Sequence, residues 1–235
     1  MTSISFASVV SALRTRYGPP ADMPPRAVRG DPFALVLWEQ VAYLATDAKR
    51  LQAFSRLSVE VGLTPDDILD APPAVLESVC RSGGSIAAED RAERMRMSAR
   101  LIKSAFDGDA RAILAMDEDA ARRAVAKFPM LGEPGADKLL ALCGVGSRLP
   151  LDSNGLRVVT RLGWVAPLKD YRATYRAAQS AIERPQDTSA LVDAGALLRM
   201  HGLETCRRNS PACERCPLHA DCPAAGQSAA TNSAW

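Results

Sequence analysis

The sequence predicts an all-α protein, and three observations carry that expectation. Val, Leu and Ile recur at helical spacing almost throughout the 235 residues. Runs that alternate apolar and polar residues, as a half-buried strand requires, are hard to find. Proline, glycine and small capping residues divide the apolar pattern into helix-sized pieces.

Residues 4–16 form the first predicted helix, and Pro19, Pro20, Pro24 and Pro25 follow as a non-helical connector. The next helix starts at Pro32, a residue suited to the first helical position, with Asp31 as its cap. It runs through FALVLWEQVAYLATDAKR and is apolar around most of its circumference, which marks a buried central helix. A shorter helical segment covers about 50–60. Thr64 with Asp67 makes a capping box for residues 65–70. Pro72 and Pro73 open a helix ending near Cys80. Gly83 and Gly84 then break the chain, and Ser85 caps a long helix that ends near Phe106. Segments 108–116 and 117–127 are helical, and 130–138 is a turn entering a short helix. Gly144 and Gly146 form a helix exit. The pattern resumes at 153–163 and 169–184, and Thr188 or Ser189 caps the helix that leads into a cysteine-rich segment. Residues 226–235 are small and polar, the composition of a disordered tail.

With 47% apolar and 24% charged residues the chain is globular, long enough for one large domain or two small ones. A net charge of +2 means that any nucleic-acid contact comes from local patches rather than a global field. No apolar run approaches the roughly 18 residues that a membrane helix needs, and the amphipathic start is unlike a secretory signal. Of the six cysteines, four are crowded together, while Cys80 and Cys143 stand alone. A core of this size has no need of a disulfide scaffold, so the expected setting is reducing and cytoplasmic.

Cys206, Cys213, Cys216 and Cys222 form C-x6-C-x2-C-x5-C. Thiolates are soft ligands, and four suit tetrahedral zinc or a [4Fe–4S] cluster; four free thiols are the plain alternative. Zinc sites usually pair cysteines as two short knuckles, and here only Cys213 and Cys216 are so spaced. The 6-2-5 spacing, with His201-Gly202 leading in, resembles the iron–sulfur loop of the endonuclease III family of DNA glycosylases. The resemblance implies a [4Fe–4S] cluster ligated by these four cysteines. It also implies that family's fold, two helical domains around a DNA cleft. Residues 30–145 would be the six-helix barrel, including a helix–hairpin–helix, and 1–29 with 146–225 the iron–sulfur cluster domain.

Leu131-Gly132-Glu133-Pro134-Gly135-Ala136-Asp137-Lys138 resembles the family's hairpin, typically L-P-G-V-G. There, backbone N–H groups and a helix N-terminus meet a DNA phosphate. Gly135 stands at the second glycine position, Glu133 replaces the first, and Gly132 replaces the proline. Asp152, with Arg157 five residues later, keeps the interval of the family's aspartate and arginine. Breaking a base–sugar bond develops positive charge on the sugar, which a nearby carboxylate stabilises while it activates water. Read from spacing alone, Asp152 is a helix cap.

Two departures stand out. Bifunctional members carry a lysine two residues after the second hairpin glycine, whose amine attacks the sugar. That position is Asp137 here, and Lys138 follows it, turned by about 100° on a helix. Where the family places a glutamine that enters the DNA stack, this chain has Leu44, beside Tyr43. An apolar wedge also fills the gap left by a flipped base. Lys127, Arg148 and Arg157 are candidate phosphate contacts.

The resemblance thus implies a monomeric base-excision-repair glycosylase, cytoplasmic and nucleoid-associated, acting on double-stranded DNA with a damaged or mismatched base. Asp152 is the expected catalytic carboxylate of a monofunctional enzyme, with Asp137 reshaping the pocket electrostatically. The alternatives are a bifunctional glycosylase and lyase using Lys138, and a non-catalytic DNA-binding iron–sulfur protein.

Overall fold

The fold is that of a computed structural model whose described residues are 4–21 and 24–225. The expected disordered tail at 226–235 lies outside them. Among the described residues there is no β-strand, and no helix is long and apolar enough to cross a membrane. The α-helices in chain order are α1 (Phe6–Tyr17), α2 (Pro32–Gln40), α3 (Asp47–Glu60), α4 (Pro65–Asp70), α5 (Pro73–Ser82), α6 (Ala88–Ala105), α7 (Glu118–Val125), α8 (Glu133–Leu142), α9 (Ser153–Arg161), α10 (Tyr171–Ala181) and α11 (Thr188–Glu204). Short 3₁₀ turns stand at Arg26–Val28, Ala110–Ala115, Cys213–Arg215 and His219–Asp221. The chain divides into two compact units, Asp22–Gly146 and the combination of Met1–Ala21 with Ser147–Trp235.

In the Asp22–Gly146 unit, α6 packs against α2, α4 and α5. Asp31 caps α2 by accepting from Phe33 N at 3.0 Å and Ala34 N at 3.1 Å, with Pro32 at the first turn. Phe33, Leu35, Val36 and Leu37 are all buried. Each such side chain contributes roughly 1.5–3 kcal/mol, so burial and not the cap dominates the stability of α2. The helix is shorter than its apolar pattern predicts. It ends at Gln40, and α3 starts afresh at Asp47 with Thr46 as its cap. The stop comes from elsewhere in the chain. The guanidinium of Arg91, fully buried in α6, donates to Val41 O at 2.6 Å, Cys80 O at 2.9 Å, Ile86 O at 3.2 Å and Gly84 O. One side chain therefore ties down the end of α2, the end of α5 and the turn entering α6. That turn also differs from expectation. Ser85 does not cap α6; Ala87 precedes it in a left-handed conformation (φ 48°), and the segment is wound around Arg91.

Thr64 and Asp67 form the expected capping box at α4. Asp67 N donates to Thr64 Oγ1 at 3.2 Å, and Thr64 N donates to Asp67 Oδ2 at 2.9 Å. The Thr64 hydroxyl, and then its N–H, hold the Asp67 carboxyl below the usual carboxylate range. A depressed folded-state pKa stabilises above the unfolded value of about 4 and is lost as pH falls through the folded one. Thr64→Ala is expected to cost about 1 kcal/mol at neutral pH, read as a lower urea midpoint.

In the other unit, α11 packs on α9 and α1, and α10 on α9. Val9, Leu13, Leu156, Val159, Tyr175 and Leu198 are among the side chains of one continuous core. Asp187 rather than Thr188 or Ser189 caps α11, accepting from Ala190 N at 2.7 Å.

Candidate functional site

Asp152 is the N-cap of α9. Its Oδ1 accepts from Asn154 N at 2.9 Å and Gly155 N at 2.8 Å, and its Oδ2 accepts from Asn154 Nδ2 at 3.1 Å. Arg199 of α11 lies against the same Oδ2 at 3.4 Å, and the Asp152 side chain remains 33% exposed. The carboxylate is thus oriented on three sides yet open to solvent. The backbone leading to it is equally constrained. Buried Gln179 accepts from Leu149 N at 3.2 Å and donates to Leu149 O at 2.7 Å. On α11, a Cβ at Gly195 would stand 2.4 Å from Pro150 O, and one at Gly202 would stand 2.7 Å from Asn154 O. Only glycine lets α11 approach the 150–154 segment so closely. Nearby, burial first and the negative charge of Asp152 second push the Tyr171 hydroxyl up to about 12.

Arg157, expected at a phosphate, spends its guanidinium on the protein. It donates to Cys206 O at 2.9 Å, Asn154 Oδ1 at 3.0 Å and Gly202 O at 2.6 Å. Arg148 is half-buried just before Leu149, and Lys127 is exposed.

In the Asp22–Gly146 unit, α7 and α8 pack together through the 126–132 connection. Gly132 is the N-cap of α8 and makes no side-chain capping bond; Pro134 occupies the first turn, followed by Gly135. Asp137 is buried, 3% exposed, and its Oδ1 stands 2.8 Å from Arg122 Nε as a close ion pair without an aligned hydrogen bond. Lys138 turns the other way, with Nζ 2.7 Å from Glu39 Oε1 on α2. Adjacent residues on α8 thus meet different helices, as a 100° rotation requires.

The loop after α2 carries Tyr43, 44% exposed, and Leu44, 78% exposed with φ 48°. A left-handed backbone at a leucine costs of order 1 kcal/mol or more, so the surrounding structure must hold it. Buried Gln40 anchors the end of α2 from which this loop departs. Its Nε2 donates to Ser98 Oγ at 2.9 Å and to Pro129 O at 3.0 Å, joining the base of this loop to the connection between α7 and α8. Glu39, Gln40, Arg122, Tyr171 and Arg199 belong to no motif that the sequence displays. Their partners are distant along the chain, and no local spacing signals them.

The cysteine expectation is corrected. Cys206, Cys213, Cys216 and Cys222 are free thiols on the wall of one partly open cavity, shared with Val158, Leu162 and Leu218. Among the described residues, no group of three or more His, Cys, Asp or Glu side chains is disposed to hold a metal ion. This overturns the [4Fe–4S] cofactor, the assignment of the four cysteines as metal ligands and the iron–sulfur loop as part of the fold. The 6-2-5 spacing brings the thiols to one cavity without converging them on a coordination point. Burial favours the neutral thiol, pushing Cys216 up to about 11 and Cys222 upward. Arg161 Nη1 meets Cys206 Sγ at 3.3 Å and Arg207 O at 2.8 Å, tying the loop to α9.

No protein-family model matches the chain. It is 26% identical over 191 residues to the endonuclease III of Sulfolobus acidocaldarius, covering 81% of each sequence. Its fold is similar to that of a non-covalent endonuclease III–DNA complex, with a TM-score of 0.74, 20% identity and 95% and 96% of the two chains covered. A thermostable thymine-DNA glycosylase gives 0.72, 20% identity and 93% and 95% coverage. An H. pylori 3-methyladenine DNA glycosylase bound to 1,N6-ethenoadenine gives 0.65, 13% identity and 86% and 98% coverage. The chain shares the all-α, two-domain helix–hairpin–helix glycosylase fold of these structures.

Proposed function

We propose that this protein is a DNA glycosylase of base excision repair. It hydrolyses the N-glycosidic bond of a damaged or mismatched base, with Asp152 as the catalytic carboxylate. The observation that carries the reading is the state of Asp152: fixed by two backbone N–H groups, Asn154 and Arg199, yet one-third exposed. A carboxylate held in place needs no reorganisation when positive charge develops on the sugar as the base departs. The same group accepts a proton from water as it adds to the sugar.

DNA contact in this reading comes from backbone N–H groups at the start of α8, around Gly132 and Gly135, which suit a phosphate. Leu44 enters the stack as an apolar wedge beside Tyr43 while the target nucleotide leaves the duplex. Lys127 and Arg148 neutralise phosphates, and Arg157 acts chiefly inside the protein. Asp137 holds α7 to α8 through Arg122. Lys138 is engaged by Glu39, which favours hydrolysis without strand cleavage. The protein acts as a monomer on double-stranded DNA.

The test is a panel of duplexes that each carry one altered or mismatched base. Strand breaks are expected on at least one duplex only after a separate alkaline step. Breaks on that duplex without alkali favour the bifunctional alternative, and no breaks on any duplex contradict the reading.

A further inference from the structure

Glu39 stands at the end of α2 with one carboxylate oxygen 2.7 Å from Lys138 Nζ and the other 3.9 Å from Arg50 Nη1. Arg50 is itself anchored, donating to Trp38 O at 2.8 Å with its guanidinium 5.7 Å from the Trp38 ring centre. The Glu39 carboxylate is therefore held between two cations, at 26% exposure, and Lys138 at 35% is reachable but engaged. Trp38 is buried and set edge-on to Phe54 at 5.3 Å, so this end of α2 is a rigid support for the pair.

We infer that Glu39 selects the reaction class: by holding Lys138 in an ammonium–carboxylate pair, it suppresses covalent chemistry at that amine and leaves water as the nucleophile. The inference rests on the glycosylase reading above. The suppressed step is condensation of the neutral Nζ amine with the aldehyde of an abasic deoxyribose. The amine lone pair forms an N–C bond at C1′. The aldehyde oxygen leaves as water with the two N–H hydrogens, and a C=N bond remains. Added borohydride delivers hydride to that carbon, and water protonates the nitrogen, making the link permanent. An Nζ held 2.7 Å from Glu39 Oε1 must leave that contact before it can reach the aldehyde carbon.

Two measurements on the full chain test the inference, using wild type, Glu39→Gln, Lys138→Ala and the Glu39→Gln/Lys138→Ala double variant. The first needs no DNA: trace acetylation with acetic anhydride, read by mass spectrometry at Lys138 against exposed Lys127. Glu39→Gln, near-isosteric with the native side chain, is expected to raise Lys138 acetylation about three- to fivefold and leave Lys127 unchanged. The second is borohydride capture on an abasic duplex. Glu39→Gln is expected to raise capture by a similar factor over wild type, and the double variant to abolish the gain. Unchanged Lys138 acetylation in Glu39→Gln overturns the inference, as does a gain in capture that survives in the double variant. If abasic DNA is not bound and no lesion is processed, the glycosylase reading fails, and acetylation alone decides whether Glu39 restrains Lys138.

Discussion

Asp152→Asn is expected to lower base release by roughly 10²–10⁴-fold while leaving stability within about 1 kcal/mol of wild type. The two effects separate because the proposed function gives Asp152 a second role beside its capping one. Its Oδ1 caps α9 through Asn154 N and Gly155 N, and asparagine is an equally good cap. What asparagine lacks is the charge that stabilises a cationic sugar and the basicity that activates water. Asp152→Ala removes both functions and is expected to cost a further 1 kcal/mol or so in unfolding free energy. Single-turnover rates and urea midpoints on the two variants provide the comparison. Equal base release by wild type and Asp152→Asn would reduce Asp152 to a cap.

Arg91→Leu is expected to destabilise the protein by about 3–5 kcal/mol, the largest stability loss among these substitutions. The side chain is fully buried, and its guanidinium serves four carbonyl oxygens, of Val41, Cys80, Gly84 and Ile86. Leucine fills part of the volume but removes the donor to the buried Val41 carbonyl and three further contacts, of which Cys80 O keeps Gly83 N at 3.0 Å, and a buried acceptor left without a donor costs about 1–3 kcal/mol. Urea unfolding would show a lower midpoint at nearly constant slope. A loss below about 1 kcal/mol would mean that the α2 terminus is held by something other than Arg91.

The helices were legible where their signals are local. Asp31-Pro32 at α2 and Thr64 with Asp67 at α4 declare themselves within four residues, and both caps form as read. The break after Gln40 was not legible, because apolar residues continue through Val41, Ala42, Tyr43 and Leu44. The group that interrupts them, Arg91, lies fifty residues further on. The same division holds at the candidate site. Asp152 is visible as a cap two residues before Asn154, whereas Arg199 reaches it only through the packing of α11 on α9. The offset of Asp137 and Lys138 was readable from helical rotation, but their partners, Arg122 and Glu39, were not. The cysteines mark the limit of spacing as evidence. Closeness in sequence placed four thiols around one cavity, and coordination demands convergence that spacing does not specify.

The central claim is that Asp152 drives hydrolysis of a base–sugar bond. Its most direct test is mass-spectrometric detection of the free base released from a lesion-bearing duplex, with wild type and Asp152→Asn compared at enzyme excess. The account predicts release of an intact free base by wild type, with the abasic strand still continuous, and at least a hundredfold slower release by Asp152→Asn. No free base from any duplex of the panel, or equal rates for the two proteins, would contradict it.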